Sequence, residues 1–323
     1  MTQCWALTDY RPGTANQVLG IARHTGFIVT EKKLHYSRLS HLPNFTMIGN
    51  GLRALTKTSR QSMVQPWPDV VIAAGRRSAP VSVALKRRNP AMKIVHLMKP
   101  EWSLGAFDMV MIPAHDQPPD AENIVTTLGA AHCLTEDTLF AARARHPLNP
   151  ELLPRPWTLL CLGGSTQAGN FMLSDIEALI RDSAPLLGSG SLLLTGSRRT
   201  TNALAHCALD KIKASYPSMK IESYFSDQGT ENPYHAWLAQ ADRIIVTADS
   251  VSMISEAAFS GKAVYVFTTE QAASPKHLRF VDAMVQADHI KPLDAYDPLW
   301  QSGLRLNEAA RLGKMVRELV LNN

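Results

Sequence analysis

The chain of 323 residues contains 45% hydrophobic and 19% charged residues, which is typical of a globular protein with one large or two medium domains. No apolar run reaches the roughly 18 residues of a bilayer-spanning helix, and the first residues lack a secretory signal, so we expect a cytoplasmic protein. The net charge of +5 is spread along the chain without basic runs interleaved with aromatic residues, which argues against a nucleic-acid partner.

An alternation of apolar strand, Gly or Ser turn and amphipathic helix runs through the chain. This alternation predicts an α/β fold with parallel sheets that helices cover on both faces. In the first half, a strand near the start leads through a Pro-Gly loop into a helix that begins near Asn16. We predict strands in this half at 4–8, 69–75, 93–98 and 108–113.

A proline-rich stretch at 145–157 predicts an extended connector, because proline lacks the backbone donor that a helix interior needs. Beyond it, five apolar segments predict a second set of strands: WTLLCLGG, SLLLTGS, KIESYF, RIIVTAD and AVYVFTT. The last residues have apolar positions at helical spacing. We therefore expect a Rossmann-like domain at 1–150, a second at 151–302 and a closing helix at 303–323.

Polar side chains follow two strands of the first half. Asp9 and Arg11 come after the first strand, and His115 with Asp116 comes after the fourth. Open α/β sheets place ligands at the carboxyl ends of their strands, and a histidine beside a carboxylate suits proton transfer near neutral pH. Asp9 and His115 are therefore alternative candidates for a catalytic base, while capping or packing roles also fit both.

The segment from Asp249 to Ser252 lies between an apolar strand and a short helix. The first amides of a helix lack intrahelical partners and bind anions, and serine side chains cap such ends. Glu256 lies one turn after Ser252 on the same helix face, so a phosphate at the helix start would bring a ribose within its reach. The pattern predicts a diphosphate site with Ser250, Ser252 and Glu256, or an ordinary capped helix with a solvent-facing glutamate.

Two further turns after predicted strands carry residues suited to phosphate. The small residues Gly164 and Ser165 would let a diphosphate approach the backbone, and the guanidinium groups of Arg198 and Arg199 suit phosphate oxygens. A tight turn and two solvated arginines are the alternatives. The glycine spacing matches neither the dinucleotide fingerprint nor a Walker loop, so we expect no NAD or ATP cofactor.

Neither carboxylates nor thiols show the spacing of a metal site. The chain has no Asp-x-Asp motif, no His or Cys cluster and no Cys-x-x-Cys pair. We therefore expect reduced cysteines and a site that works without a metal.

Taken together, these motifs resemble the mitochondrial fission protein family of the elongated-mitochondria (ELM) type. The segments that carry the resemblance follow the family's order over nearly the whole chain: DYRPGTANQVLG, PDVVIAAGRRSAPV, FDMVMIPAHD, GGS, GSRRT and ENPYHAWLAQADRIIVTADSVSMISEAAFSGKAVYVF. That family in turn resembles GT-B glycosyltransferases. The resemblance implies two Rossmann-like domains facing across a cleft and a C-terminal helix that crosses back to the first domain.

The GT-B resemblance also implies roles for residues of the second domain, which holds the nucleotide sugar in such enzymes. It places Glu256 at the ribose and the base beside Asn232 and Tyr234. It places the diphosphate near the remaining candidates, which are Gly164, Ser165, Ser250, Ser252 and Met253.

Three functions are consistent with these residues. The first is a metal-independent transferase that passes the sugar of a uridine-type nucleotide to an acceptor near Asp9, Arg11 and Arg76, with Arg198 or Arg199 stabilising the leaving diphosphate. A lipid-linked acceptor and peripheral attachment to the inner membrane face are options within it. The second is a non-catalytic adaptor in membrane fission, because plant members of the family are associated with recruiting a dynamin-related protein. The third is a nucleotide-sugar epimerase.

Overall fold

The computed structural model describes residues 1–47, 50–165, 171–225, 229, 231–269, 273–302 and 305–322. The chain forms two compact units, one from Met1–Cys133 with Asn307–Asn323 and the other from Leu134–Leu306. Each unit contains a six-stranded parallel sheet, so the predicted α/β class is confirmed.

The first unit is a parallel sheet with helices. Its strands are β1 (Gln3–Thr8), β2 (Ile28–Lys33), β3 (Val70–Ala74), β4 (Lys93–Leu97), β5 (Met109–Pro113) and β6 (Ile124–Thr127). They lie in the order β2-β1-β3-β4-β5-β6. The helices are α1 (Pro12–His24), α2 (Lys57–Gln61), α3 (Ala79–Arg88) and, from the end of the chain, α11 (Glu308–Leu321). Short 3₁₀ turns occur at Arg38–His41, Asn44–Met47, Gly51–Ala54, Leu104–Ala106 and Ala114–Asp116.

The second unit repeats this plan with a different strand order. Its strands are β7 (Trp157–Leu162), β8 (Ser191–Gly196), β9 (Lys220–Tyr224), β10 (Arg243–Thr247), β11 (Ala263–Phe267) and β12 (Lys291–Pro292). The order β12-β11-β10-β7-β8-β9 is that of a dinucleotide-binding Rossmann sheet. The helices are α4 (Glu136–Arg145), α5 (Leu173–Asp182), α6 (Ala184–Leu187), α7 (Asn202–Ser215), α8 (Tyr234–Gln240), α9 (Val251–Phe259) and α10 (Pro275–Gln286), with a 3₁₀ turn at Leu293–Ala295.

The central strands are mostly apolar because helices cover both faces of each sheet. Every residue of β3 and β7 is buried. The closing helix contributes to the first unit, where Ala309, Leu312 and Val316 of α11 join the core that contains Val18 and Ile21 of α1.

The division of the chain lies before α4, whereas the proline-rich stretch predicted it at 150. The reason is that α4 packs against α8 and that Gln240 holds the residues after α4. The Gln240 side chain donates to His146 O at 2.9 Å and accepts from Leu148 N at 3.0 Å. Residues 134–150 therefore belong with the second unit.

Candidate functional site

The order of the second sheet brings three predicted turns to one edge. The chain runs from β7 outward through β8 and β9, then returns to β10 on the other side of β7. Open α/β sheets bind ligands at such a switch point. The turns that carry Gly164, Arg199 and Ser250 follow β7, β8 and β10, three adjacent strands, so they lie together at this edge.

A buried aspartate connects these turns. The Asp249 side chain is fully buried, and its Oδ2 accepts from Gly164 N at 3.1 Å and from Arg199 Nη2 at 2.8 Å. Its Oδ1 accepts from Thr247 Oγ1 at 2.6 Å, which in turn accepts from Gly163 N at 2.7 Å. Together these bonds fix the turn after β7 to those after β8 and β10.

Two predicted phosphate ligands are engaged within this network. The amide of Gly164 donates to Asp249, so it is not aimed at a ligand, and the Arg199 guanidinium is paired with the Asp249 carboxylate. Both turn glycines are required by close contacts: a Cβ on Gly163 would lie 1.7 Å from Asp249 Oδ1, and one on Gly164 would lie 2.2 Å from Arg199 O. Ser165 and Arg198 are both exposed.

The start of α9 has the cap that the sequence predicts. The side chain of buried Ser250 accepts from Met253 N at 3.4 Å, and Ser252 is exposed in the first turn. Asn232 is a turn residue: its Oδ1 accepts from Tyr234 N at 2.9 Å, where α8 begins. The buried Ser250 side chain thus fixes the α9 terminus, whose first amides have no partner within the helix.

Glu256 is partly buried within the second unit. Burial raises the pKa of its carboxyl to about 7, an effect that the nearby Tyr234 hydroxyl partly offsets. That hydroxyl is buried and makes no hydrogen bond of ordinary length within the described residues. Burial above all, and the Glu256 charge in addition, raise the pKa values of Tyr234 and of Cys161 at the end of β7. The glutamate therefore lies near the end of β7 at the switch point, partly buried rather than fully exposed to solvent.

The two candidate bases of the first unit lie far apart. Its switch point is between β1 and β3, so Asp9 and Arg76 follow the two strands that flank it. His115 is buried after β5, three strands from β1, which corresponds to about 14 Å across the sheet. Asp9 and His115 therefore cannot act on the same proton.

Two of the first unit's candidates have local structural partners. Asp9 Oδ1 accepts from Arg11 N at 2.9 Å, which closes the turn before α1. The Arg76 guanidinium donates to Leu42 O at 3.0 Å and Ser40 O at 3.1 Å. Arg11 is exposed, and α1 begins just after it at Pro12 rather than near Asn16, because proline suits the first helical position.

Sequence reasoning missed the residue that organises the second site and an aromatic cluster in the first unit. Asp249 lies two residues after the end of a buried strand, and a buried acid at such a position needs a partner. Arg77 donates to the Tyr10 hydroxyl at 2.8 Å, and its guanidinium lies 4.8 Å from the centre of the Tyr36 ring. Arg77 and Arg199 each belong to an Arg-Arg pair, one after β3 and one after β8. This repeat was the sequence signal available for both contacts.

The described residues lack both a cluster of metal ligands and a membrane-spanning helix. No three His, Cys, Asp or Glu side chains among them lie together in a way that could hold a metal ion. None of the helices in the described ranges combines the length and apolar character needed to cross a bilayer.

Solved structures with this architecture define its class. UDP-GlcNAc 2-epimerase from Methanocaldococcus jannaschii has a TM-score of 0.54 at 12% identity, with 100% of each chain covered. The Neisseria meningitidis epimerase, solved bound to UDP-GlcNAc, has a TM-score of 0.53 at 11% identity, also over 100% of each chain. ADP-heptose lipopolysaccharide heptosyltransferase II from E. coli has a TM-score of 0.52 at 12% identity, covering 100% of this chain and 99% of its own. The protein therefore has the GT-B-like fold of glycosyltransferases and epimerases.

Sequence comparison then gives the family. The model described as "Mitochondrial fission ELM1" matches residues 12–320, and the chain belongs to this family. An uncharacterized protein, RP120, of Rickettsia prowazekii is 26% identical, with 97% of each chain covered. The mitochondrial fission protein ELM1 of Arabidopsis thaliana is 27% identical over 67% of this chain and 55% of its own length.

Proposed function

We propose that the second unit binds a nucleotide-diphosphate sugar at the switch point between β7 and β10, with Glu256 accepting hydrogen bonds from the ribose. The position of Glu256 is the observation that carries the proposal. Its partly buried carboxyl has a pKa raised to about 7 and lies near Cys161 and Tyr234. An ionised carboxylate is costly to bury without donors. Ribose hydroxyls would provide those donors.

The diphosphate would bind at the start of α9. Ser250 holds this terminus, exposed Ser252 offers a hydroxyl, and Met253 lies in the same turn. Among the two arginines, exposed Arg198 is the better phosphate ligand, because Arg199 is paired with Asp249. Exposed Ser165 would contact the same phosphates, whereas Gly164 would act through its small size.

The placement of the nucleotide base and the choice of a uridine nucleotide both come from the resemblance to GT-B enzymes. Asn232 and Tyr234 lie at the start of α8, and Tyr234 is close to Glu256. Both residues would flank the nucleotide base. Two neighbours of the same fold are epimerases named for UDP-GlcNAc, which supports a uridine nucleotide.

The proposed reaction is sugar transfer to an acceptor bound by the first unit near Asp9, Arg11 and Arg76. Asp9 would take the acceptor's proton, since it lies at the switch point and His115 does not. The acceptor oxygen would bond to the anomeric carbon as the bond from that carbon to the diphosphate breaks. The start of α9 and Arg198 would stabilise the charge that develops on the diphosphate, without a metal.

Calorimetric titration with UDP and UDP-GlcNAc, in buffer with EDTA, tests the binding step. We expect the wild type to bind and Glu256→Ala to lose about tenfold or more in affinity, the usual range for a hydrogen bond to a charged group. The matched control is Glu177→Ala, which removes an exposed glutamate of the same unit that pairs with Lys211. Absence of binding by the wild type, or equal loss in both variants, would contradict the proposal.

Two other functions have separate observations in their favour. The epimerase fold likeness over the full chain favours epimerisation, which would release a changed hexosamine without any acceptor. The family favours an adaptor in membrane fission, for which Glu256→Ala would leave partner capture intact. Product analysis with and without acceptors distinguishes transfer from epimerisation. Partner capture by the Glu256→Ala and Glu177→Ala variants tests the adaptor function.

A further inference from the structure

We propose that residues 38–47 of the first unit, the 38–47 segment, dock the protein on membranes that contain anionic phospholipids. The proposal does not depend on the nucleotide site of the second unit. It rests on three features of the segment: exposed apolar side chains, a backbone held by buried contacts, and surroundings rich in positive charge.

The 38–47 segment exposes three large apolar side chains. Leu39 and Leu42 are each 44% exposed, and Phe45 is 71% exposed. Leu39 lies in the 3₁₀ turn Arg38–His41, Leu42 directly follows it, and Phe45 lies in the next turn. Residues three apart align along a 3₁₀ turn, so Leu39 and Leu42 point in similar directions.

The segment is held firmly, so this exposure is not that of a loose loop. Buried Asn44 donates through Nδ2 to Arg76 O at 2.9 Å and to Pro100 O at 3.0 Å. The Arg76 side chain reaches back to the main chain at Ser40 and Leu42. Met47 is 6% exposed and anchors the end of the segment in the protein. The fold therefore keeps the three apolar side chains at the surface.

The sequence around the segment is basic, although the structure also brings the Glu101 carboxylate to 3.8 Å from Arg76. Residues 32–68 include no Asp or Glu but six lysines and arginines, namely Lys32, Lys33, Arg38, Arg53, Lys57 and Arg60, compared with a net charge of +5 for the whole chain. Hydrogen bonds from Ser37 to Arg53 O at 2.9 Å and to Ala54 O at 2.8 Å place Arg53 beside the start of the segment.

Exposed apolar side chains with neighbouring cations match the chemistry of an anionic bilayer surface. The leucines and the phenylalanine would enter the boundary between headgroups and acyl chains, while lysines and arginines stay at the lipid phosphates. Each cation near such a surface strengthens binding by about fivefold. A neutral membrane would offer only the apolar part of this interaction.

Flotation of the full chain with vesicles tests the proposal. We expect binding to phosphatidylcholine vesicles that contain phosphatidylglycerol, weak binding to pure phosphatidylcholine, and release as salt rises. The triple variant Leu39→Ser, Leu42→Ser, Phe45→Ser should bind at least about tenfold less. Arg38→Glu with Arg53→Glu should lose the preference for anionic vesicles.

The controls remove equally exposed apolar residues elsewhere. Phe140 is 75% exposed and Leu299 is 89% exposed, both in the second unit, so Phe140→Ser with Leu299→Ser should bind like the wild type. Surface serine substitutions change stability little, and circular dichroism checks the fold of every variant. The proposal is overturned if the wild type ignores anionic vesicles, or if the control variant loses as much binding as the triple variant. Capture of an acidic protein by a wild type that ignores vesicles would identify the surface as a protein interface instead.

Discussion

Each unit has a switch point in its sheet, between β1 and β3 in the first and between β7 and β10 in the second, but the residues at the two points differ in kind. In the second unit, Asp249 and its partners form a buried network that joins three turns. In the first, Tyr10 is 71% exposed and Arg77 pairs with it at the surface. The edge of the second sheet is organised by buried hydrogen bonds, whereas that of the first has an exposed hydrogen bond and cation–ring contacts.

Because of this difference, substitutions at the two edges should affect different properties, stability at the buried edge and ligand recognition at the exposed one. Substitutions in a buried polar network leave unsatisfied donors and acceptors, so they destabilise the fold. Substitutions in an exposed cluster change what the surface offers to a ligand and affect folding little. We therefore expect the largest stability effects in the second unit and functional effects without unfolding in the first.

Asp249→Ala should have the largest effect. It removes the acceptor of Gly164 N, Thr247 Oγ1 and the Arg199 guanidinium at once. We expect a loss of about 4 kcal/mol in the free energy of unfolding of the second unit, measured in urea, because breaking a buried charged network by removing one partner costs that much. The matched control is Asp210→Ala, at an exposed position on α7. Equal stability of the two variants would show that the network does not hold the turns together.

Gly163→Ala should have the second-largest effect on stability. The added methyl carbon would lie 1.7 Å from Asp249 Oδ1, so either the turn or the carboxylate must move. Overpacking of this kind costs about 3 kcal/mol, which urea unfolding would detect. In Gly13→Ala the new methyl meets nothing within 4 Å, and this variant should be at least as stable as the wild type.

Glu256→Gln should change stability in the opposite direction. The folded protein keeps the Glu256 proton up to about pH 7, whereas the unfolded chain releases it near the ordinary value of 4.5. The folded state thus binds more protons between these values, and the free energy of unfolding falls as pH rises through this window. The neutral glutamine removes this fall. At pH 8 the variant should be more stable by up to about 3 kcal/mol, while losing nucleotide binding.

Urea unfolding at pH 5 and pH 8 measures that effect. Glu177→Gln is the control, because Lys211 lowers the pKa of exposed Glu177 and its titration lies below the window. It should keep the wild-type dependence between pH 5 and 7. If the free energy of unfolding of Glu256→Gln depends on pH as in the wild type, the pKa of the wild-type Glu256 carboxyl is not raised in the folded protein.

Apolar central strands predicted the fold well, because burial on both faces leaves a continuous hydrophobic signal in the sequence. Three strands escaped prediction: β2, β6 and β12 end their sheets and are polar and partly exposed. Spacing placed Glu256 on the same helix face as Ser252. It could not show that Arg199 pairs with Asp249 or that Arg76 binds the backbone of Ser40, since these contacts depend on strand order.

Arg77→Ala should have the smallest effect, and it tests the exposed edge. The hydrogen bond from Arg77, followed by one from Arg11, lowers the pKa of the Tyr10 hydroxyl, because both cations favour the phenolate. Removing Arg77 should raise that pKa toward its ordinary value and leave urea unfolding unchanged. NMR titration of ring-labelled tyrosine measures it, with Arg88→Ala on α3 as the control. If Arg77→Ala unfolds the first unit instead, this cluster is structural, and the contrast between the two edges disappears.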